Sequence, residues 1–518
     1  MESFLKKYAG QVKGVLSGFD RLRFSGNIRI LANTRGMGKF LSYQNVLLKH
    51  FKQWAKGLTA TVVQSAEELA EKEERPLIYL PSSRDRKEDI AQQIAEEDNI
   101  HEGLVCVLKC VEPCYSMTVG PNRIMKRLEI RRQLIKCSHL YFYLIDPRLG
   151  PLHLRLQTWL PFRVHVCLNG REWLARSLAR AKIDYEQRDN CFADLADPIR
   201  AQKLANKQLG TDWRGLLNRL LRQVHPAHQR LFADYPLSYY WTAQETEWAT
   251  DVMFRSSEAL AELFPTFQRY ATSALNSPDV LRFLGRCPHV RLYRKGEIIS
   301  SLATREEGTR VKHAVNANSV KMYDKQGSVL RIETTINQPR DMKVYRHKEG
   351  EPRGPKTWLR LRKGVADLHR RAEISQASNT RYLEALATAE HDDSLAHAVR
   401  DLCRPTQWKG RRVRALKPLD PQDTDLLKAV NRGEFIVNGF RNRDLRCILF
   451  DDGSACEREL KRQSSKVTRQ LRLLRAHGII KKLPKTHRYQ VTRRGRTKIT
   501  AILAAQDAST QQLTQLAA

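Results

Sequence analysis

The segment LHLRLQTWLPFRVHVCL, at positions 152–168, constrains the fold more than any other part of the sequence. Apolar and polar residues alternate in both halves, which is the pattern of β-strands that bury one face. A turn at Leu160-Pro161-Phe162 would join the halves and set Gln157 opposite His165 in a hairpin. One face of this predicted hairpin is apolar, and the other carries His153, Arg155, Gln157, Trp159, Arg163 and His165.

Strand-like segments continue through residues 103–196, and a second β-rich region follows helical patterning further along the chain. Such clustering predicts an α+β, multidomain protein with antiparallel-sheet domains and helical insertions. The predicted domains are an N-terminal mixed α/β region (1–102), an antiparallel-sheet domain (103–196), a helical region (197–284), a β-hairpin region (285–350), a second helical region (351–404), a linker (405–420) and a C-terminal unit (421–505).

Two local predictions depend on turn and cap signals. Residues 1–35 are predicted to form a short helix and then a hairpin that turns at Ser25-Gly26-Asn27. WTAQETEWATD, at 241–251, is predicted to be helical, with Thr242 and Glu245 as its capping box. Glu247 and Asp251 would then share one helix face, either as a two-carboxylate metal site or as acids that the helix dipole attracts.

The charge of the chain favours a polyanionic partner. The 518 residues include 90 Lys and Arg against 56 Asp and Glu, a net charge of +34. This excess exceeds what solubility needs and favours nucleic acid, with DNA preferred and structured RNA as the alternative. No apolar run approaches the roughly 18 residues of a membrane-spanning helix, and the N-terminus lacks the apolar segment of a signal peptide. We therefore predict a cytoplasmic protein with no membrane partner, and the oligomeric state stays open.

Cysteines and short motifs exclude several common chemistries. The ten cysteines are dispersed and are predicted to be reduced. Cys106, Cys110 and Cys114 stand four apart and no CxxC pair occurs, which favours packing on a strand over a zinc or redox site. No Walker loop, GxGxxG, GxSxG or HExxH motif occurs, so nucleotide hydrolysis, dinucleotide chemistry, serine hydrolysis and zincin proteolysis lose their usual support.

The C-terminal unit has the clearest local pattern. In SSKVTRQLRLLRAHGII, Val467, Leu471 and Leu474 form an apolar stripe that leaves basic side chains on the other faces. Gly478 stands where this helix should end, and two short strands turning near Pro484 follow it. Helices, a basic helix, a glycine and a β-wing in this order resemble winged-helix DNA-binding domains of the MarR-like kind.

This resemblance implies that residues 465–475 enter a major groove and that the wing contacts a minor groove or phosphates. It adds a C-terminal winged helix to the predicted α+β fold class. Winged helices also dock proteins, which is the alternative. The implied nucleic-acid contacts are Lys466, Arg469, Arg472, Arg475, Lys485, His487 and Arg488.

A second hairpin, NSVKMYDKQGSVLRIETTIN at 318–337, carries a tyrosine among charged residues. A one-residue change in loop length would move its side chains to the opposite face. A three-residue loop, Lys325-Gln326-Gly327, is preferred because a two-residue turn would place Gln326 at positive φ. The preferred loop pairs Tyr323 with Val329 and groups four residues on one face, whereas the two-residue loop sends the tyrosine away. The grouped residues are Lys321, Tyr323, Arg331 and Glu333.

Such a group has chemical meaning. A tyrosine hydroxyl attacks a phosphodiester when cations stabilise the phenolate and a carboxylate-held divalent metal polarises the phosphate. Tyr-Asp-Lys followed by Arg-x-Glu, within residues 320–335, resembles a segment of the rolling-circle replication initiators of plasmids and phages, which nick DNA through a tyrosine. The two-histidine metal motif of many such enzymes is absent. Cross-strand ion pairs on a half-exposed hairpin are the alternative explanation.

The candidate residues fall into three classes. The catalytic candidates are Tyr323, Lys321, Arg331 and Glu333, with Tyr239, Tyr240 and Tyr382 as rival nucleophiles. Mg²⁺ or Mn²⁺ is the predicted cofactor, and its candidate ligands are Glu333, His153, His165, Glu247 and Asp251. The polar face of the first hairpin suits stacking and phosphate contact, and its candidates are Arg155, Gln157, Trp159 and Arg163.

Two functions agree with these patterns. The first is a nucleic-acid-binding protein of a mobile element or replicon, a metal-dependent DNA-nicking replication initiator or a transposase-like protein. The second is a non-catalytic DNA-binding regulator or a structured-RNA-binding protein of a ribonucleoprotein. Cleavage distinguishes the first from the second.

Overall fold

The computed structural model describes residues 1–275, 277–285, 298–305, 308–388, 399–432, 435, 439–450, 456–483 and 486–507. These residues form two compact units. The first unit comprises Met1–Pro265, Phe283–Gly285 and the described part of Ile299–Glu384. The second unit comprises the described parts of Thr266–Arg282, Arg286–Ile298 and Ala385–Ala518. Across the described ranges, none of the helices combines the length and apolar character that crossing a bilayer requires.

The described helices are numbered in chain order. In the first half of the chain they are α1 (Glu2–Lys7), α2 (Thr34–Tyr43), α3 (Phe51–Lys72), α4 (Lys87–Glu97), α5 (Gly170–Arg180), α6 (Pro198–Lys207), α7 (Trp213–Val224) and α8 (Ala227–Leu231). In the second half they are α9 (Ser257–Arg269), α10 (Ser277–Phe283), α11 (Leu368–Leu386), α12 (Pro421–Val430), α13 (Asn442–Leu449), α14 (Glu457–Ala476) and α15 (Arg493–Asp507). Short 3₁₀ turns lie at Leu48–His50, Gln208–Gly210, Pro339–Asp341 and Val365–Asp367, and a π-turn lies at Tyr270–Ala274.

The strands are numbered in the same way. In the first half they are β1 (Val12–Ile28), β2 (Leu77–Leu80), β3 (Gly103–Asn122), β4 (Arg127–Asp146), β5 (Gly150–Gln157), β6 (Val164–Asn169), β7 (Tyr185–Arg188), β8 (Cys191–Leu195) and β9 (Tyr239–Phe254). In the second half they are β10 (Ile298–Arg305), β11 (Gly308–Val315), β12 (Asn318–Lys325), β13 (Val329–Ile336), β14 (Lys343–Arg346), β15 (Thr357–Arg360), β16 (Thr406–Trp408), β17 (Arg411–Val413), β18 (Ile480–Lys482) and β19 (Tyr489–Val491).

One large sheet organises the first unit. Its strand order is β10-β11-β12-β13-β9-β1-β6-β5-β4-β3-β2. Among the pairings whose register is described, only β2 with β3 is parallel. Together with the helices around it, this sheet makes the architecture α+β, as predicted. The sheet crosses the predicted boundaries at 103, 197 and 285, so the regions that they separate share one structure.

Among the described residues, three apolar cores pack against the sheet. The largest includes Phe40, Phe51, Leu154 and Leu217, and thus joins α2, α3 and α7 to the central strands. A second core includes residues of α5, α6, β1, β9 and β13, and a third includes residues of α4, β2, β3 and β4. These cores pack the helices against the sheet, whose strands also carry buried polar residues.

The predicted hairpin at Ser25-Gly26-Asn27 is wrong, because β1 runs unbroken through these residues. Gly26 lies opposite Trp241, and a Cβ on it would come within 2.8 Å of Trp241 Cζ3. The glycine is therefore needed for close approach to an aromatic ring, and its lack of a side chain does not mark a turn here.

The predicted helix at 241–251 is also wrong, because these residues belong to the central strand β9. Thr242 pairs with Ser25 of β1 and donates its hydroxyl to the Ser25 carbonyl oxygen at 3.1 Å. Glu245 forms an ion pair with Arg21 at 3.0 Å. Pairing with β1 on one side and β13 on the other supplies more hydrogen bonds than a local capping box could.

The first predicted hairpin forms, with its apolar face buried in the largest core. Its register differs from the prediction, because Arg155, and not Gln157, lies opposite His165. The connection from β5 to β6 is longer than the predicted three-residue turn. Within this connection, the backbone N–H of Gln157 donates a hydrogen bond to the Arg163 carbonyl oxygen at 2.9 Å.

The second predicted hairpin forms with its loop displaced by one residue. Lys325 lies opposite Val329, which leaves Gln326-Gly327-Ser328 as the loop. Gln326 has φ of +54°, the conformation that the prediction had avoided. The predicted pairing of Tyr323 with Val329 is therefore wrong, since Tyr323 lies opposite Arg331. The shift is an even number of residues, so Lys321, Tyr323, Arg331 and Glu333 still share one face.

Two further regions differ from their predictions. Residues 351–404 are not uniformly helical, because Thr357–Arg360 forms a strand that pairs with Lys343–Arg346. Residues 405–420 are not a free linker, because they contain the hairpin of β16 and β17. Val413 and Leu416 of this segment are buried in the core of the second unit.

In the second unit, α12, α13 and α14 are followed by the β18–β19 hairpin and α15. Val467, Leu471 and Leu474 are buried on one side of α14, which confirms the predicted stripe. Gly478 has φ of +68°, a left-handed conformation that suits glycine immediately after a helix.

Candidate active site

Three buried carboxylates converge in the first unit. Asp20 lies on β1, Glu247 on β9 and Glu333 on β13. One oxygen from each lies within 4.8 Å of the others, and the residues are only 3%, 6% and 3% exposed. Their strands are neighbours in the sheet although Asp20 is more than two hundred positions away from the two glutamates in sequence. The sheet order therefore builds a cluster of hard oxygen donors.

Lys321 lies between two of these acids. Its ammonium nitrogen is 2.9 Å from Glu247 Oε1 and 2.5 Å from Glu333 Oε1. The Thr335 hydroxyl donates to the same two oxygens, at 3.3 and 3.4 Å. Burial acts to lower the pKa of Lys321, but Glu333 and Glu247 outweigh it and raise that pKa, so the side chain stays charged.

Arg331 holds the third acid. Its Nη1 atom is 2.9 Å from Asp20 Oδ2, and its Nε atom is 2.6 Å from Asp251 Oδ1. Asn190 completes the arrangement by donating its side-chain amide to Asp20 Oδ1 at 2.9 Å. Asp251 also contacts the fully buried Arg171, at 3.0 Å. Asp251 is therefore held by two arginines outside the cluster of three acids, and this placement does not support its predicted role as a metal ligand.

The proximity of the acids changes their proton affinity. Burial and the neighbouring Glu247 raise the pKa of Glu333 to about 7, against the opposing effect of Lys321. Burial also acts to raise the pKa of Glu247, but Lys321 and Arg21 outweigh it and hold that pKa below its usual value. Burial raises the pKa of Asp20, with Arg331 opposing. The pKa of Glu333 therefore lies near neutral pH.

Tyr323 shares a cleft with this cluster. The cleft has a volume of about 1110 Å³, and Asp20, Glu247, Lys321, Tyr323 and Glu333 all line it. Burial and Glu333 raise the pKa of the Tyr323 hydroxyl to about 12, although Lys321 opposes them. The hydroxyl is therefore protonated at neutral pH, and it would become a better nucleophile if the charge of the acids were neutralised.

The charges of the cleft lining are close to balanced. The acids that line it are Asp20, Glu88, Glu96, Glu172, Glu247 and Glu333. The Lys and Arg side chains that line it are Arg21, Arg310, Lys321, Lys325 and Arg331. Such a cleft does not attract a phosphate by net charge, so a bound divalent cation would be needed to bring one to Tyr323.

The predicted histidine ligands lie outside the cluster of three acids. Among the described residues, His153 and His165 belong to neither of the two clusters of metal-ligating atoms. His153 lines the cleft and packs its ring against Tyr141 and Tyr143. Burial lowers the pKa of His153 and that of His165, the latter to about 3. His153 thus shares the cleft with Glu333, but neither histidine joins Glu333 in a cluster of metal-ligating atoms.

The polar face of the β5–β6 hairpin is largely occupied by internal contacts. Arg155 pairs with Glu112, and Gln157, only 3% exposed, donates to the Ser116 hydroxyl. Trp159 donates its indole N–H to the Met117 carbonyl oxygen at 2.9 Å. Arg163 donates to Asn27 Oδ1 at 2.8 Å. An open face for stacking nucleotides is therefore not present here.

The three rival tyrosines either pack in the interior or line a cavity other than the cleft of Tyr323. Tyr239 and Tyr382 are buried, and their hydroxyls contact the Phe162 carbonyl oxygen and His313 Nε2 respectively. Tyr240 is 41% exposed and stacks with the Arg29 guanidinium in a separate cavity. Tyr143 shares the cleft with Tyr323 and was not among the sequence candidates.

Basic side chains of the second unit have mixed environments. Arg469 and His487 are exposed, whereas Lys466 lies over the ring of Phe450. Arg472 and Arg475 lie over the ring of Trp408, and Arg488 donates to the Gly439 carbonyl oxygen. Lys485 lies outside the described residues.

Sequence reasoning missed Asp20, Asn190 and Arg171. The misplaced hairpin in residues 1–35 hid the fact that Asp20 lies on a strand next to β9. An acid in the middle of an apolar strand segment, as in VLSGFDRLRF, was the signal that could have identified it.

Comparison with protein-family models, curated protein sequences and solved structures finds no match to the chain.

Proposed function

We propose that the chain is a metal-dependent nucleic-acid-cleaving protein of a mobile element or replicon that uses Tyr323 as its nucleophile. The observation that carries this proposal is the convergence of Asp20, Glu247 and Glu333 in the cleft that Tyr323 lines. Three carboxylate oxygens are the donor set that suits Mg²⁺ or Mn²⁺.

Tyr323 and Lys321 have distinct parts in the proposed reaction. The Tyr323 oxygen forms a bond to phosphorus while the bond from phosphorus to the leaving oxygen breaks. The phenolic proton is released to water, and the leaving oxygen takes a proton from water. A divalent cation would polarise the phosphate and reduce the repulsion that raises the pKa of Tyr323. Lys321 would stabilise the phenolate once a cation shares Glu247 and Glu333 with it.

The second unit would place this site on its substrate. The order of α12, α13, α14, the β18–β19 hairpin and α15 supports a winged helix of the MarR-like kind. In that arrangement α14 is the recognition helix and presents Arg469 to solvent. The excess of positive charge in the whole chain agrees with a polyanionic partner, with DNA preferred.

A non-catalytic nucleic-acid-binding protein is the second candidate function. The observation that favours it is the position of Lys321, which already compensates Glu247 and Glu333 without a metal. In this case the buried charges would serve only to join strands β9, β12 and β13.

A cleavage assay separates the two functions. The full chain is incubated with Mg²⁺ or Mn²⁺ and labelled single-stranded, duplex and hairpin DNA, and with the matching RNAs. We expect a covalent protein–nucleic-acid product that is stable in a denaturing gel and is abolished by a chelator. Tyr323→Phe should abolish this product, whereas Tyr143→Phe, which removes a hydroxyl from the same cleft, should retain it.

Two results would overturn the catalytic proposal. One is tight, salt-sensitive binding of these substrates with no cleavage under any metal condition. The other is an unchanged covalent product in Tyr323→Phe.

A further inference from the structure

A second cluster of metal-ligating side chains lies on the β3–β4 hairpin. Cys114, Cys137 and His139 offer ligand atoms that all lie within 4.8 Å of one another. The two sulfur atoms are 2.7 Å apart. None of the three residues lines the cleft that holds Tyr323. The cluster is therefore a separate feature of the sheet.

The register of the hairpin creates this cluster. Cys137 lies opposite Glu112, and Cys114 lies opposite Ile135. Cys137 and His139 are two residues apart on β4, so their side chains point to the same face. Cys114 is the diagonal neighbour of Cys137 on that face. Only a long, regular antiparallel pairing brings these three residues together.

His139 has a backbone hydrogen-bond partner and a buried ring, as metal-bound histidines often do. Its Nδ1 atom is 3.1 Å from the Cys137 carbonyl oxygen, to which it can donate a hydrogen bond. A backbone carbonyl is a usual partner for the second nitrogen of a metal-bound histidine. His139 is only 2% exposed, so its ring is held in place by the surrounding structure.

We propose that Cys114, Cys137 and His139 bind a zinc ion. Two thiolates and an imidazole are a donor set that zinc prefers, and two thiolates balance its charge in a half-buried site. Three protein ligands leave a fourth tetrahedral position for water or another ligand. The site would fasten β3 to β4 in a hairpin of two strands that are each 20 residues long.

A disulfide is the competing explanation of the short sulfur–sulfur distance. Diagonal neighbours in an antiparallel sheet have Cα atoms about 7–8 Å apart. Disulfides usually join Cα atoms about 4.4–6.8 Å apart. Both cysteines are free in the structure, and diagonal neighbours of the usual spacing suit a shared metal better than a covalent bond between the two sulfurs.

The metal content of the purified full chain tests the proposal. The protein is purified under reducing conditions without chelators, and zinc is measured by elemental mass spectrometry. We expect one zinc per chain. Cys114→Ser, Cys137→Ser and His139→Gln should each weaken zinc binding by at least about 100-fold in competition with a chromophoric chelator. Cys167→Ser, which alters a half-buried cysteine outside the cluster, should bind zinc like the unaltered protein.

A second measurement does not depend on the folding of the variants. Cobalt(II) added to the metal-free unaltered chain should give a thiolate-to-metal charge-transfer band and the visible spectrum of tetrahedral cobalt. A folded, reduced chain that binds neither zinc nor cobalt would overturn the proposal. So would equal zinc binding by Cys114→Ser and the unaltered protein, or an intact mass that shows a Cys114–Cys137 disulfide. Circular dichroism of each variant establishes that it is folded.

Discussion

The positive charges of the two units differ in what surrounds them. In the first unit, Arg331 and Lys321 are buried, and each contacts two carboxylates. In the second unit, Arg469 projects from α14 into solvent. A buried cation with two acidic partners holds strands and carboxylates in place, whereas an exposed cation keeps its capacity for a phosphate. The same residue type therefore supports stability in one unit and is available for binding in the other.

Removal of a buried cation should produce the largest effect. Arg331→Met leaves Asp20 and Asp251 without the guanidinium that they share, and we expect it to reduce the free energy of unfolding by about 3–5 kcal/mol. Urea denaturation at neutral pH measures this loss. Arg230→Met, which breaks a half-exposed pair with Glu68, should cost about 0–1 kcal/mol. Similar losses in the two variants would contradict the distinction between buried and exposed cations.

Removal of a carboxylate tests whether the buried network is also catalytic. Asp20→Asn should lower the rate of metal-dependent cleavage about 100- to 1000-fold, because a metal contributes several kcal/mol to the transition state. Single-turnover cleavage with Mn²⁺ provides the measurement. Glu88→Gln is the matched control, since Glu88 lines the same cleft but lies outside the cluster of acids. Equal rates for Asp20→Asn and the unaltered protein would assign the cluster to stability alone.

The pH dependence of metal binding also tests whether the buried acids bind a metal or serve stability alone. Glu333 has a pKa raised from 4.5 to about 7, so below pH 7 a proton competes with the metal. We expect the affinity for Mn²⁺ to rise about tenfold per pH unit up to about pH 7 and then to level off. Calorimetric titration at several pH values measures this dependence, and Glu333→Gln should remove it.

The contribution of Glu333 to folding stability falls as pH rises, whereas its contribution to metal affinity increases. Its folded state binds the proton more tightly than the unfolded state, so its contribution to stability is present below about pH 4.5 and is lost as pH rises through about 7. Urea denaturation at several pH values, compared with Glu333→Gln, isolates this contribution. A metal affinity that is independent of pH between 5 and 7 would show that this carboxyl does not bind the metal.

Removal of an exposed cation should have the smallest effect and leave stability unchanged. Arg469→Ala should weaken nucleic-acid binding and reduce the slope of log affinity against log salt concentration by about 0.9 for each lost phosphate contact. Fluorescence anisotropy at several salt concentrations measures the slope. Lys461→Ala, which removes a cation that pairs with Glu457 on the same helix, should leave the slope closer to that of the unaltered protein. Identical slopes for all three proteins would remove α14 from the binding surface.

Local patterns predicted the elements whose partners are near in sequence. The β5–β6 hairpin, the face shared by Lys321, Tyr323 and Glu333, and the buried stripe of α14 all follow from residues within about twenty positions. The helix predicted at 241–251 failed for the opposite reason. Thr242 and Glu245 find their partners on β1, more than two hundred positions earlier, and those hydrogen bonds and ion pairs outweigh the local helix signal.

The sequence by itself determined the α+β class, the positive charge, the apolar face of the first hairpin and the grouping of Tyr323 with Lys321 and Glu333. These properties depend on residue type and on alternation along one strand. Only the tertiary structure decided that Asp20 and Glu247 join Glu333, and that Cys114 meets Cys137 and His139. The physical reason is that strand order and register, which bring distant residues within a few ångströms, depend on the burial of the whole sheet and not on any local pattern.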